Sequence, residues 1–346
     1  MPMSDTDLAP PPSLEPSTSD LAQTSTDDMA MVRVDDLVFD YPGNRALNDI
    51  NFRIMPGTIT ALIGPNGAGK TTLMRCITAL ETPMSGRVTV DNIDVHETPR
   101  LAHQRMGYLS DFFGLYDQLT VYQCLAYRAA SKGLVGEEAN RRILKAAERM
   151  EIENRFEQKA GELSRGLRQR LAIAECILHE PKLVLLDEPA SGLDPEARHR
   201  LSTVLTNLRE EGMTLIVSSH ILSELEDYST NILILRGGRI VDHHAIGEVT
   251  VGDKVAVKIQ LVEPMNNMPA IIEGLSHQSQ IVRSEDRSLE ITLPREPRIH
   301  AEVLQQLISQ GVPVCGFQVA QIGLKESYLA TVFGKGEAAD RFEEGA

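Results

Sequence analysis

Eight residues constrain this chain more than any other feature of it. Gly64-Pro65-Asn66-Gly67-Ala68-Gly69-Lys70-Thr71 has the spacing G-x-x-x-x-G-K-[ST] and lies between a β-rich run, Thr58 to Ile63, and a helix-like stretch, Thr72 to Leu80. Strand, glycine-rich turn and helix in that order build a concavity lined by backbone N–H groups. Glycines at 64, 67 and 69 let those groups face phosphate oxygens with no Cβ in the way, and the helix N-terminus adds a partial positive charge. Lys70 then reaches the β- and γ-phosphates, while the Thr71 hydroxyl is a hard oxygen suited to Mg²⁺. The pattern predicts a nucleotide-binding α/β fold. It leaves GTPases, kinases, helicases, motors and transport ATPases open.

Further motifs narrow the choice. Leu183-Val184-Leu185-Leu186 is a continuous apolar run of the kind found in strands buried on both faces, and it ends in Asp187-Glu188. Asp187 is placed to hold Mg²⁺, usually through water, and Glu188 to act as general base for an attacking water. No N-K-x-D guanine-reading motif occurs, which disfavours a GTPase. Between the two sites stands Leu163-Ser164-Arg165-Gly166-Leu167. Ser191-Gly192-Leu193-Asp194 follows the acidic pair, and Ser218-Ser219-His220 follows a predicted strand, Met213 to Val217.

Taken in this order, from about Val32 to Gly247, these motifs resemble those of an ABC ATPase. The family's signature reads LSGGQ, so Arg165 and Leu167 depart from it, while Ser164 and Gly166 are kept. The resemblance implies a P-loop ATPase core with an inserted helical subdomain at about 105–165. It implies ATP and Mg²⁺ as cofactors. Gly64, Asn66, Gly67, Gly69, Lys70, Thr71 and Thr72 would hold the nucleotide, Tyr41 would stack on adenine, and Thr71, Asp187 and Asp111 would serve the metal. Glu188, His220 and Lys70 would carry the chemistry, with His220 as the switch histidine at the γ-phosphate. Asp111 stands where the family usually has glutamine. It can ligate Mg²⁺, but it adds negative charge and has no amide to donate. The resemblance further implies a head-to-tail homodimer, in which Ser164, Gly166 and Asp194 of one copy complete the site of the other, and a separate transmembrane permease as partner.

Composition bears on what surrounds this core. The first 31 residues contain no Lys or Arg, six acids and the run Pro10-Pro11-Pro12, which predicts a solvated tail and fits neither a signal peptide nor a mitochondrial presequence. No apolar run approaches the roughly 20 residues of a membrane span. The net charge of -15 argues against a broad nucleic-acid footprint. Arg141, Arg142, Lys145 and Arg149 read as a solvated helix face instead. Cys76, Cys124, Cys176 and Cys315 include no C-x-x-C pair and read as thiols of a reducing compartment. A cytoplasmic protein, peripheral on the inner face of the membrane through its permease, is expected.

After Gly247 the motifs stop. Alternation at Val255 to Leu261, a short helix at Pro269 to Leu275, a hairpin over 280–293, helical spacing from Ile299 to Ile308 and a strand at Val314 to Val319 give the order βαββαβ. This predicts a small α+β, ferredoxin-like domain over 252–334, ahead of a flexible tail at 335–346. The closing segment, Leu324 to Phe333, resembles the end of ATPase subunits that pair with ABC-2-type permeases, which favours an exporter. Alternatives are an importer ATPase and a soluble ABC protein acting on nucleic acid or ribosomes; one cassette and an acidic balance weigh against the latter.

Overall fold

The computed structural model describes residues 29–322 apart from 113, 249, 252–253, 266–270, 273, 275–278, 280, 295 and 320. In chain order the first elements are β1 (Val32–Tyr41), β2 (Asn44–Ile54), β3 (Ile59–Ile63), α1 (Lys70–Ile77), β4 (Ser85–Val90), β5 (Ile93–Asp94), α2 (Pro99–Arg105) and β6 (Met106–Leu109). Then come α3 (Val121–Ser131), α4 (Gly136–Arg149), α5 (Arg165–Ile177), β7 (Leu183–Leu186), α6 (Pro195–Glu210), β8 (Thr214–Ser219), β9 (Asn231–Arg236) and β10 (Arg239–Ala245).

The central sheet has the order β10-β9-β3-β8-β7-β6, parallel except for β10 at its edge. Its strands are apolar on both sides because each face meets a different core. On one face Ile63, Val184, Leu186, Val217 and Ile234 pack with α3 to α6. On the other, Leu62, Leu183, Leu185, Ile216 and Leu233 pack with α1 and an antiparallel sheet of order β2-β1-β4-β5. Period-two alternation between two apolar layers leaves few polar positions inside the strands, which is why Leu183–Leu186 reads as an unbroken hydrophobic run.

Two boundaries differ from expectation. Ala30 and Met31, assigned by composition to the tail, are buried, and the Met31 N–H donates to the Ile54 carbonyl (2.8 Å). The helical subdomain does not begin at 105, because Met106–Leu109 is a strand of the central sheet, paired with β7. Only beyond it does the chain turn helical. There Arg141 and Arg142 pair with Glu138, Lys145 with Glu180 and Arg149 with Glu211, so the basic face is an ion-paired surface.

The remaining elements are β11 (Gly247–Glu248), β12 (Thr250–Val251), β13 (Lys254–Leu261), β14 (Ile281–Glu285), β15 (Ser288–Pro294), α7 (Pro297–Ser309), β16 (Val314–Val319) and β17 (Gln321–Ile322). Strands β14-β15-β13-β16 form an antiparallel sheet, the order of a ferredoxin-like fold. Val303 and Leu307 of α7 bury against Val257, Ile259, Leu289 and Ile291, a core separate from the other two. Most of the predicted helix at Pro269 to Leu275 and all of Leu324 to Phe333 lie outside the described residues.

Candidate active site

Sheet order decides what meets at the site. Strands β3, β8, β7 and β6 are neighbours and parallel, so their C-terminal ends deliver the phosphate loop, Ser218 to His220, Asp187-Glu188 and Asp111 to one rim, the usual place for ligands on an open α/β sheet. A cleft of about 500 Å³ opens there, lined by Tyr41, Asn66, Gly67, Gly69, Lys70, Thr71, Thr72, Asp111, Glu188 and His220 among others.

The loop's geometry follows from its glycines, most sharply at Gly69. Its φ is 108°, left-handed, and a Cβ there would lie 2.8 Å from the Ala46 carbonyl oxygen. Any other residue would be strained and would clash with β2. Gly69 is also the N-cap of α1 and has no side chain to satisfy the first N–H groups of that helix. Gly69 to Thr72, the residues that carry those donors, line the cleft, a setting that suits an anion.

Lys70 is buried, and its ammonium donates to the Gly64 carbonyl (2.8 Å) while lying 3.6 Å from Glu188 Oε1. The Thr71 hydroxyl donates to Asp187 Oδ2 (2.7 Å). Ser218 donates to Asp187 Oδ1 (2.5 Å) and accepts from the Glu188 N–H (2.9 Å). Both oxygens of a carboxylate that is only 1% exposed are thereby engaged. His220 Nδ1 donates to Glu188 Oε2 (2.8 Å), so the Glu188 carboxylate bridges a lysine and a histidine. Glu188 has φ 49°, a conformation that costs energy in a non-glycine residue and is typical of functional sites. Burial, followed by the charges of Asp187 and Glu188, raises the Asp111 carboxyl above its ordinary value, opposed by Arg165 and His220.

Among the described residues no group of three or more His, Cys, Asp or Glu side chains could hold a metal by itself. The oxygen donors Thr71 and Asp187 nevertheless fit Mg²⁺, which keeps several waters and typically takes one or two protein ligands alongside nucleotide phosphates. Asp111 lines the cleft without joining them in such a group.

Tyr41 lies in the same cleft, 39% exposed, its ring edge-on to Phe39 with centroids 4.9 Å apart. Ser164, Gly166 and Asp194 do not reach that cleft. They line a second hollow of about 220 Å³ with Arg155, Arg170 and Glu196. Ser164 caps α5, accepting from the Leu167 N–H (3.4 Å), and Asp194 caps α6, accepting from the Ala197 N–H (2.9 Å). Arg165, one of the two departures in the signature, donates to the Ser191 carbonyl (2.8 Å). Ser218 carries no signal in the motif spacing. Its two partners are about thirty residues away and meet it only because β7 and β8 are adjacent.

The family described as ABC transporter matches residues 47–191. The chain is 32% identical over 203 residues to the ABC transporter ATP-binding protein NatA of Bacillus subtilis, an alignment covering 58% of this chain and 82% of NatA. It is 32% identical to the Nod factor export ATP-binding protein I of Rhizobium johnstonii, over 70% of this chain and 75% of that protein. It is 34% identical to the glutamine transport ATP-binding protein GlnQ of Escherichia coli, over 57% and 84%. A solved ATP-binding subunit of an ABC transporter superposes with a TM-score of 0.56 at 31% identity, covering 62% of this chain and 90% of its own. With the nucleotide-binding fold and rim described above, the chain belongs to the ATP-binding subunits of ABC transporters and is an ATPase.

Proposed function

We propose that this ATPase works as a head-to-tail homodimer that powers export through a separate transmembrane permease. The observation that carries the catalytic part is the Glu188 carboxylate, fixed between Lys70 and His220 at the rim of the cleft. In this reading Glu188 takes the proton of the attacking water, and His220, bonded to it, orients the carboxylate and contacts the γ-phosphate. Lys70 neutralises the β- and γ-phosphates, which Gly64, Asn66, Gly67, Gly69 and Thr72 surround, and Tyr41 offers its ring to the adenine. Thr71 and Asp187, with Asp111 nearby, hold Mg²⁺, which when bound supplies positive charge to the phosphate oxygens.

The separate hollow of Ser164, Gly166 and Asp194 supports the dimer. Within one copy these groups cannot touch a nucleotide in the first cleft, whereas in a head-to-tail pair the capped end of α5 would meet the partner's γ-phosphate. Exposed rings support a docking face for the permease. Phe112 is 95% exposed, and Tyr116 and Tyr127 stand together with centroids 5.4 Å apart. No described helix is long and apolar enough to cross a membrane; in this reading a second protein provides the membrane path and the chain sits in the cytoplasm against the inner face of the membrane. Export is favoured by the Nod factor relative; the glutamine-transport relative supports uptake as the second reading.

The test uses Glu188→Gln, which keeps shape and hydrogen bonding but removes basicity. Hydrolysis should fall roughly 10²- to 10⁴-fold. ATP should still bind, and size-exclusion chromatography in ATP should show a trapped dimer that Ser164→Arg disperses. Lys70→Ala should weaken ATP binding in a titration. A Glu188→Gln protein that remains monomeric in saturating ATP would count against the sandwich.

A further inference from the structure

We propose that Glu224 is a positioning residue that holds His220 and ties it to the loop ahead of α6; this rests on the reading of His220 given above. Glu224 has a side chain only 1% exposed, in a short turn (Leu222–Glu224) directly after β8, and none of the motifs includes it. A carboxylate so placed is costly to bury and is kept only where its partners are specific.

Its partners lead to the site from two directions. Glu224 Oε2 accepts from the Ser219 hydroxyl (2.7 Å), and the same hydroxyl oxygen accepts from the Ile221 N–H (3.0 Å). Ser219 and Ile221 flank His220, so the histidine sits at the middle of a turn pinned on both sides by one hydroxyl, itself anchored to Glu224. In the other direction, Glu224 Oε1 forms an ion pair with Arg198 Nη2 at 3.4 Å. The same nitrogen of Arg198 donates to the Leu193 carbonyl (3.4 Å), and the Arg198 N–H donates to the Asp194 carbonyl (2.9 Å). A path of polar contacts therefore runs from Ser219, next to His220 in the chain, through Glu224 and Arg198 to the carbonyls of Leu193 and Asp194, and Asp194 lines the second hollow. Movement of that loop on pairing with another copy would reach His220 through the Arg198–Glu224 ion pair and the Ser219 hydrogen bonds.

Ser219→Ala tests the link while leaving the Glu224–Arg198 pair in place, so the fold is spared an unpaired buried charge. In the full chain with MgATP, Ser219→Ala should lower kcat about tenfold, within the range that small misplacements of catalytic groups produce, and change KM for ATP less than about twofold. Glu224 Oε2 and the Ile221 N–H lose this partner, so the melting temperature should also fall by a few degrees, and kcat is read well below the transition. In a His220→Ala background the same substitution should cost nothing further, because its effect passes through His220. A merely structural Ser219 would leave kcat of the folded protein at the parent value, or its effect on kcat would multiply with that of His220→Ala; either outcome overturns the link while the reading of the site stands. Should His220→Ala itself leave kcat unchanged, the reading of the site falls and takes the link with it.

Discussion

Glu175, on the face of α5 toward the helical subdomain, carries a carboxyl that burial pushes up to about 7, with Arg128 as the opposing cation. Its ordinary value is 4.5, so the folded chain holds this proton more tightly than the unfolded one does. The associated stability is fully present below about pH 4.5, falls as pH rises through 7, and is gone above. At about 1.4 kcal/mol per unit the loss is at most about 3.5 kcal/mol. Glu175→Gln cannot ionise. Its melting temperature should match the parent near pH 4.5 and exceed it at pH 8, and equal values at both would show that the side chain is effectively solvated. Single residues also show where sequence reading stops. Lys70, Thr71, Asp187, Glu188 and His220 were legible because each stands at a fixed offset from a glycine-rich turn or a strand end, and the structure brings all five together. Ser218 and Glu224 were not, because a hydroxyl or a carboxylate declares its role only through partners that sheet order supplies.

Strand β6 shows the same limit for an element. It is four residues long, follows α2 without a break and contains Gly107, so neither period nor turn residues mark it. Packing makes the glycine necessary, since a Cβ at 107 would lie 2.5 Å from the Cys176 carbonyl oxygen of α5. Gly107→Ala must push β6 away from α5, and overpacking of this kind costs about 1–3 kcal/mol. A lower denaturation midpoint with an unchanged slope would be the outcome; an unchanged midpoint would mean that the contact relaxes freely. The strand ends one residue before Ser110-Asp111, and α5 starts at the Ser164 cap, so the same substitution should also disturb the cleft. Longer elements were easier to read. The alternation from Val255 to Leu261 and the spacing of Ile299 to Ile308 appear as β13 and α7 because each buries one face against a single core.

At the scale of the molecule, composition separates a polar N-terminal stretch from the folded chain but places the border slightly late. Met31 closes one end of the antiparallel sheet with both backbone groups, donating to the Ile54 carbonyl and accepting from the Asp91 N–H (2.9 Å), while its side chain packs beside Val32 in the second core. Residues 1–28 contain six acids and no bases, a composition that by itself predicts no part in a core. Two truncations should therefore behave differently. Removing residues 1–28 should leave the melting temperature and ATP hydrolysis unchanged. Removing 1–31 also exposes the apolar surface that Met31 covers and unpairs two backbone groups, a cost of about 1.5–3 kcal/mol for the side chain alone. At roughly 2–4 °C per kcal/mol for a domain of this size, the second truncation should melt several degrees lower. A scanning calorimetry comparison decides the matter: an equal drop in both would mean that the acidic stretch itself packs on the domain and that its composition misleads.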